Sequence, residues 1–197
     1  MTSGSWTSAT VEECLDRISL PTGAKLQTKD YRQEGAYPIV DQGQAMIAGW
    51  TDQADGLISA SLPVVVFGDH TRVFKFVDFP FVRGADGTQI LKPRAGIDPL
   101  FFYYACKAIG LPSRGYNRHF TILKEKTILL PPTEEEQQQI ARALRALDHE
   151  LVLLRNKSNV LENLSSVLLQ QLTSGELSVS SLALEYLPPA SAMGRAS

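Results

Sequence analysis

The chain has 197 residues, 44 % of them hydrophobic and 20 % charged, with a formal net charge of -2. That length suits one domain, or one domain plus an extended element, and the composition excludes wholesale disorder and collagen-like structure. No apolar run approaches the ~20 residues that span a bilayer, and residues 1–8 lack the charged-then-apolar pattern of a signal peptide. Cys14 and Cys106 make neither a disulfide framework nor a Cys-x-x-Cys pair, so a reduced, cytoplasmic protein with both thiols buried is expected.

Thr10 and Glu13 have capping-box spacing, and Val11, Cys14, Leu15 and Ile18 recur at helical spacing. This predicts a short helix from Thr10, stopped by Pro21 and Gly23. Strands are predicted at 37–40, 45–48, 62–67, 73–77 and 88–91, each rich in β-branched or aromatic residues. Turn residues such as Asp41-Gln42-Gly43, Asp55-Gly56, Gly68-Asp69 and Asp86-Gly87 separate them, giving a compact, mostly antiparallel or mixed sheet. Asp98 and Pro99 suit the N-cap and first position of a helix that is apolar nearly all round to Ile109, hence buried. Gly110 and Pro112 end it, a loop covers 113–120, and a strand is predicted at 127–130.

Pro131-Pro132 marks a boundary, and Thr133 with Glu136 repeats the capping-box spacing. Glu134, Glu135 and Glu136 fill a first turn where the helix dipole favours anions. No Gly or Pro follows until Gly175, so the helix to Leu172 has about 39 residues and a length of about 58 Å. Ile140, Leu147, Leu154, Leu161 and Leu168 fall at heptad d; Gln137, Leu144, Leu151, Ser158, Ser165 and Leu172 fall at a. Such a helix outruns a domain about 30 Å across, so it is expected to project and pair with another helix. Two shorter helices folded back would need a turn that no Gly or Pro supplies. Glu150 with Arg155, and Lys157 with Glu162, have the spacing a parallel pair would use, so the direction of pairing stays open. The expected organisation is a domain over 1–132, a helix over 133–175 and a largely disordered tail over 176–197. The fold class is α+β: a compact, mostly-β domain with short helices, followed by a long projecting coiled-coil helix.

Charge is uneven along the chain. Between Leu62 and Leu130, ten Lys/Arg face five acids, a surplus of +5, while the remainder is net -7. A basic stretch in an acidic chain suits a phosphate footprint or a solvated surface. The loop Arg114-Gly115-Tyr116-Asn117-Arg118-His119 combines two guanidinium forks, an amide and aromatic faces. Those groups can read base edges or hold phosphates, or the loop can simply pin the long helix. Arg72, Lys75 and Arg83 lie among Phe74, Phe76, Phe79 and Phe81, a pattern expected to place aromatics inward and cations outward. His149 falls on an exposed helix position; His70 and His119 lack metal-site spacing, and turn hydrogen bonds suit Asp69 and His70 better. No phosphate-binding, dinucleotide-binding, nucleophile-elbow or amino-methyltransferase motif occurs, so no catalytic residue, metal or cofactor is expected.

Several segments together resemble one half of a type I restriction–modification specificity subunit, namely one target-recognition domain and one conserved-region helix. They are Tyr37-Pro38-Ile39-Val40-Asp41-Gln42-Gly43 with Ile47-Ala48-Gly49-Trp50-Thr51, Phe67-Gly68-Asp69-His70-Thr71, and Gly84-Ala85-Asp86-Gly87-Thr88-Gln89-Ile90-Leu91. Gly115-Tyr116-Asn117-Arg118-His119-Phe120 follows, then Leu130-Pro131-Pro132 with Glu136-Gln137 and Ile140, and Leu168-Leu169 to Leu172-Thr173-Ser174-Gly175-Glu176-Leu177. The resemblance covers roughly residues 6–178. It implies a non-enzymatic DNA-recognition subunit that binds double-stranded DNA, a DNA adenine methyltransferase subunit and, in the full enzyme, restriction subunits. Such subunits carry two domains and two antiparallel helices; this chain has one of each. It is therefore expected to pair with itself or with another half-subunit through Ile140, Leu144, Leu147, Leu151, Leu154, Leu161 and Leu168. Arg72, Lys75, Arg83, Arg114, Tyr116, Asn117 and Arg118 are the candidate DNA contacts. A fragment that only dimerises and assembles, without reading DNA, is the alternative.

Overall fold

The computed structural model describes residues 4–21, 26–84, 86–112 and 119–179. It has two compact units, Met1–Arg145 and Ala146–Ser197. The first runs past the boundary expected at 132, because Gln137 and Ala141 of the long helix are buried.

Thr10 does not begin a helix. Strand β1 (Thr7–Thr10) pairs antiparallel with β9 (Thr127–Leu130), matching Thr7 to Leu130 and Thr10 to Thr127. The capping box forms all the same: the Glu13 carboxylate accepts from Thr10 N–H at 2.7 Å and from its hydroxyl at 2.9 Å. It closes only one 3-10 turn, Glu12–Cys14. The chain then extends, because Asp16 N–H donates to Lys92 O, Arg94 N–H donates to Cys14 O, and Leu15 bridges Pro93.

The remaining strands form two further sheets rather than one. The first is four-stranded, built from β2 (Tyr37–Val40), β3 (Gly49–Thr51), β4 (Leu57–Ile58) and β7 (Phe81–Arg83) in the order β3-β2-β7-β4. Only its β2–β7 pair is parallel. The second is three-stranded and antiparallel, with β5 (Val64–Gly68) between β6 (Phe74–Val77) and β8 (Thr88–Leu91). The strand expected at 45–48 lies instead at β3, and β4 and β7 were not foreseen.

β5 explains how the cores are arranged. All its residues are buried, as in a strand covered on both faces. Val65 and Phe67 join Phe101, Phe102, Cys106, Leu123 and Val11 in one cluster. Val64 and Val66 join Val40, Ile58, Val77 and Phe81 in another. Burying each such side chain stabilises by about 1.5–3 kcal/mol, which outweighs local propensity.

Helix α1 (Pro99–Lys107) starts as expected, with Asp98 Oδ1 accepting from Phe101 N–H at 2.7 Å. It is buried on one face only, through Phe101, Phe102 and Cys106. Within the stretch 113–120, expected to be loop, His119 opens helix α2 (His119–Glu125). Both cysteines are fully buried and free, and burial raises the pKa of each thiol, that of Cys106 far above its ordinary range. Thiolates are the reactive form, so a thiol reagent should label neither cysteine in the folded protein and both after denaturation. Rapid labelling under native conditions would contradict this packing.

Helix α3 (Glu134–Ser174) is a continuous helix of 41 residues. Thr133 Oγ1 accepts from Glu136 N–H at 3.2 Å at its start, and Gly175 leaves it in the left-handed region at φ +78°. The α+β expectation, with a long helix after a mostly-β domain, is met.

In the second unit the leucines of the seam face outward: Leu147, Leu151, Leu154 and Leu161 are 47–61 % exposed. The heptad assignment fails at Gln137, which belongs to the first unit. There its Oε1 accepts from Asp98 N–H at 2.8 Å, and its Nε2 donates to Gly96 O at 3.2 Å and to Pro131 O at 3.4 Å. Gln137 thus ties the start of α3 to the cap of α1 and leaves the seam to begin at Ile140.

Candidate nucleic-acid interface

Three turns that are distant in sequence meet in one cluster. Gly43 N–H donates to Asp41 Oδ1 at 2.8 Å, closing the turn after β2. The next residue, Gln42, ties this turn to two others. Its Nε2 donates to Asp86 O at 2.9 Å, its Oε1 accepts from His70 N–H at 3.3 Å, and its carbonyl accepts from the Thr71 hydroxyl at 2.5 Å. Gly87 completes the junction at φ +86°; a Cβ there would sit 2.8 Å from His70 Cδ2 and 2.9 Å from Gln42 Oε1. Only glycine meets both demands.

The turn between β5 and β6 holds both flanks of residues 113–118. Arg72 sits at φ 60°, an uncommon conformation for a side-chain-bearing residue. Its guanidinium donates to Leu111 O at 3.2 Å. On the other flank, buried Asp69 accepts from Phe120 N–H at 2.7 Å through Oδ1. The Asp69 carbonyl accepts from His119 Nδ1–H at 2.7 Å. His119 is itself buried, and its Nε2 has no partner among the described residues. In place of the local turn hydrogen bonds expected of Asp69 and His70, Asp69 bonds across to His119 and Phe120 and His70 N–H donates to Gln42; Asp69 and Arg72 bracket the stretch 113–118. Arg114, Tyr116, Asn117 and Arg118 lie outside the described residues.

Lys75 corrects the expected pattern of inward aromatics and outward cations. It is 3 % exposed, and its Nζ donates to Asp41 O at 2.8 Å and Ala45 O at 2.5 Å, with Asp41 Oδ1 at 3.8 Å. Burial lowers its pKa from the ordinary value, and Asp41 opposes that shift. An ammonium enclosed by two carbonyls and a carboxylate cannot also hold a phosphate, so Lys75 leaves the set of candidate contacts. Its neighbours Phe74 and Phe76 take the opposite face; Phe74 stacks on Phe67 with centroids 4.7 Å apart.

The basic surplus of 62–130 is likewise partly taken up by contacts within the chain. Lys124 pairs with Glu12 at 2.8 Å, and Lys107 lies over the Tyr103 and Tyr104 rings. Of the described candidates, Arg72 and Arg83 remain, both half-buried. Sequence reasoning missed Gln42, Asp69 and Gln137 as positioning residues. The turn chemistry around the first two was visible, but their partners lie 28–51 residues away. Among the described residues, no group of three or more His, Cys, Asp or Glu is placed to hold a metal, and no helix is long and apolar enough to cross a membrane.

Residues 17–163 match the family model of the type I restriction modification DNA specificity domain. The chain belongs to that family. The specificity subunit of the type I restriction enzyme EcoR124I/EcoR124II of Escherichia coli is 37 % identical over 68 residues, covering 34 % of this chain and 17 % of that one. Among solved structures, the type I S subunit from M. genitalium aligns with a TM-score of 0.56 at 22 % identity, covering 86 % of this chain and 46 % of that one. The HsdS subunit of Thermoanaerobacter tengcongensis aligns at 0.51 and 17 % identity, covering 87 % and 46 %. A chain from a structure of complex assembly and conformational transition in the type I R-M system aligns at 0.58 and 18 % identity, covering 84 % and 45 %. At these identities the structural likeness establishes the fold. The chain spans about half the length of these solved structures. Of the residues that carried the resemblance in sequence, Asp41-Gln42-Gly43, Asp69-His70-Thr71, Asp86-Gly87 and His119-Phe120 converge in the turn cluster.

Proposed function

We propose that this chain is the DNA-reading half of a type I specificity subunit. It pairs with a second copy, or with another half-subunit, through α3, in the antiparallel direction that the resemblance to two-helix specificity subunits implies. It reads one half of a split target, and it holds a DNA adenine methyltransferase subunit and, in the full enzyme, restriction subunits. It supplies recognition rather than catalysis and takes no cofactor.

The observation that carries this reading is the exposed leucine seam of α3 in a member of the specificity-domain family. Four leucines each worth about 1.5–3 kcal/mol on burial make a partner helix the natural cover. The assembly-only alternative draws support from the internal use of Lys75 and Lys124.

DNA binding separates the two readings. The complex with an adenine methyltransferase should copurify and bind its target with an affinity that falls steeply with salt. Replacing Arg114 and Arg118 by Ala should weaken that binding by more than ~1 kcal/mol. Unchanged affinity and unchanged specificity would confine that loop to a structural role.

A further inference from the structure

An open apolar groove of about 560 Å³ lies in the first unit, beside the start of α3. Phe101, Ile128 and Ile140 line it together with Trp6, Leu129 and Leu144. Trp6 and Leu129 are 47 % and 57 % exposed, and Lys126 supplies a positive charge at the lining. Ile140 and Leu144 are also the first two residues of the leucine seam, so the groove continues the surface through which α3 is proposed to pair.

The sequence after α3 contains a segment suited to this groove. Residues 182–187 read Leu-Ala-Leu-Glu-Tyr-Leu: four large apolar side chains and one acid, Glu185, complementary to Lys126. Leu182 follows Ser174 by eight residues, whereas Leu144 precedes Ser174 by thirty.

A second copy running antiparallel removes that gap. The register that matches Leu144 with Leu168 and Leu151 with Leu161 also matches Ile140 with Leu172. It brings the partner's Gly175 level with Gln137, at the groove. We infer that the groove is a docking site for residues 182–187 of a second copy, with Leu184 and Tyr186 entering it and Glu185 meeting Lys126. The inference rests on the antiparallel pairing proposed above. It adds a contact outside the helices, made twice in a symmetric dimer, in which each domain is completed by the other chain.

The test uses the full chain carrying L129C and L184C, the native cysteines being buried. Mild oxidation should give a reducible covalent dimer for the double variant and none for either single variant, since a disulfide requires Cα atoms within about 7 Å. Separately, deleting residues 181–197 should raise the dimer dissociation constant at least about tenfold in sedimentation, because two apolar contacts are lost. A parent dimer with no cross-link and an unchanged constant after the deletion would overturn the docking while leaving the helix pairing intact. A monomeric parent would overturn the pairing and the docking together. Cross-linking of the L129C single variant to an added methyltransferase subunit alone would assign the groove to that partner and overturn the inference.

Discussion

Monomers are the expected result of replacing both Leu154 and Leu161 by lysine. These side chains are 60 % and 53 % exposed in the single chain, on a continuous helix with no internal break. A two-fold pair buries each of them twice, so the double variant removes four leucines from the interface and adds four charges. At about 1.5–3 kcal/mol per leucine, the loss is at least roughly 6 kcal/mol, or more than ~10⁴-fold in the dissociation constant. Lysine is a good helix former, so helix content should hold and the effect can be assigned to association. Light scattering or sedimentation reads the outcome. A variant that sediments like the parent would place the interface elsewhere.

The second large effect is expected at Lys75, in stability rather than assembly. Lys75→Met keeps much of the buried volume but leaves the carbonyls of Asp41 and Ala45, and the Asp41 carboxylate, without their cation. An acceptor left unpaired costs about 1–3 kcal/mol at full burial; with Ala45 exposed and Asp41 half-buried the three together should cost less than that in full, roughly 2–4 kcal/mol of stability. For a chain of this size that is a fall of roughly 5–12 °C in Tm. The parent should also show a pH signature that the variant lacks. Burial lowers the Lys75 pKa below its unfolded value of 10.5, so between the two values the unfolded chain binds more protons. Stability from this group therefore rises with pH up to about 10.5. An unchanged melting temperature in Lys75→Met would mean that the ammonium does not hold the turn after β2.

The elements that could be read in the sequence are those whose signals are local and unopposed. β2, β8 and β9 carry dense β-branched or aromatic runs bounded by turn residues. α1 and α3 start at Asp98 and Thr133, where cap and first turn agree. The Thr10–Glu13 capping box was equally real, yet the backbone of Asp16 and Arg94 drew the chain away after one turn. Local chemistry proposed a helix and a pairing eighty residues distant ended it. β7 was hidden because its parallel partner β2 lies some forty residues earlier. The inward turn of Lys75 was hidden for the same reason: alternation favours the phenylalanines inside unless two carbonyls from a remote turn wait for the ammonium.

The candidate site divides along the same line. The motif segments that resemble specificity subunits were visible one by one, but nothing local indicated that Gln42 joins three turns. Asp69 likewise supports the far flank of residues 113–118, through partners 50 and 51 residues on. A surplus of basic residues along 62–130 overstated the free positive charge, because neighbours in sequence were divided between core, ion pair and aromatic stack.

The central claim is that one recognition domain, used twice about a two-fold axis, reads the DNA. An isologous dimer presents identical reading surfaces, so its two half-sites must be inverted copies of each other. Antiparallel helices then set the spacer, and deleting one heptad from α3 should change its length without altering the half-site letters. Methylome sequencing of cells that express this chain as the sole specificity protein, together with the partner adenine methyltransferase, tests the claim most directly. A split palindrome with an unspecified spacer is expected; a single continuous, asymmetric motif would contradict the symmetric dimer.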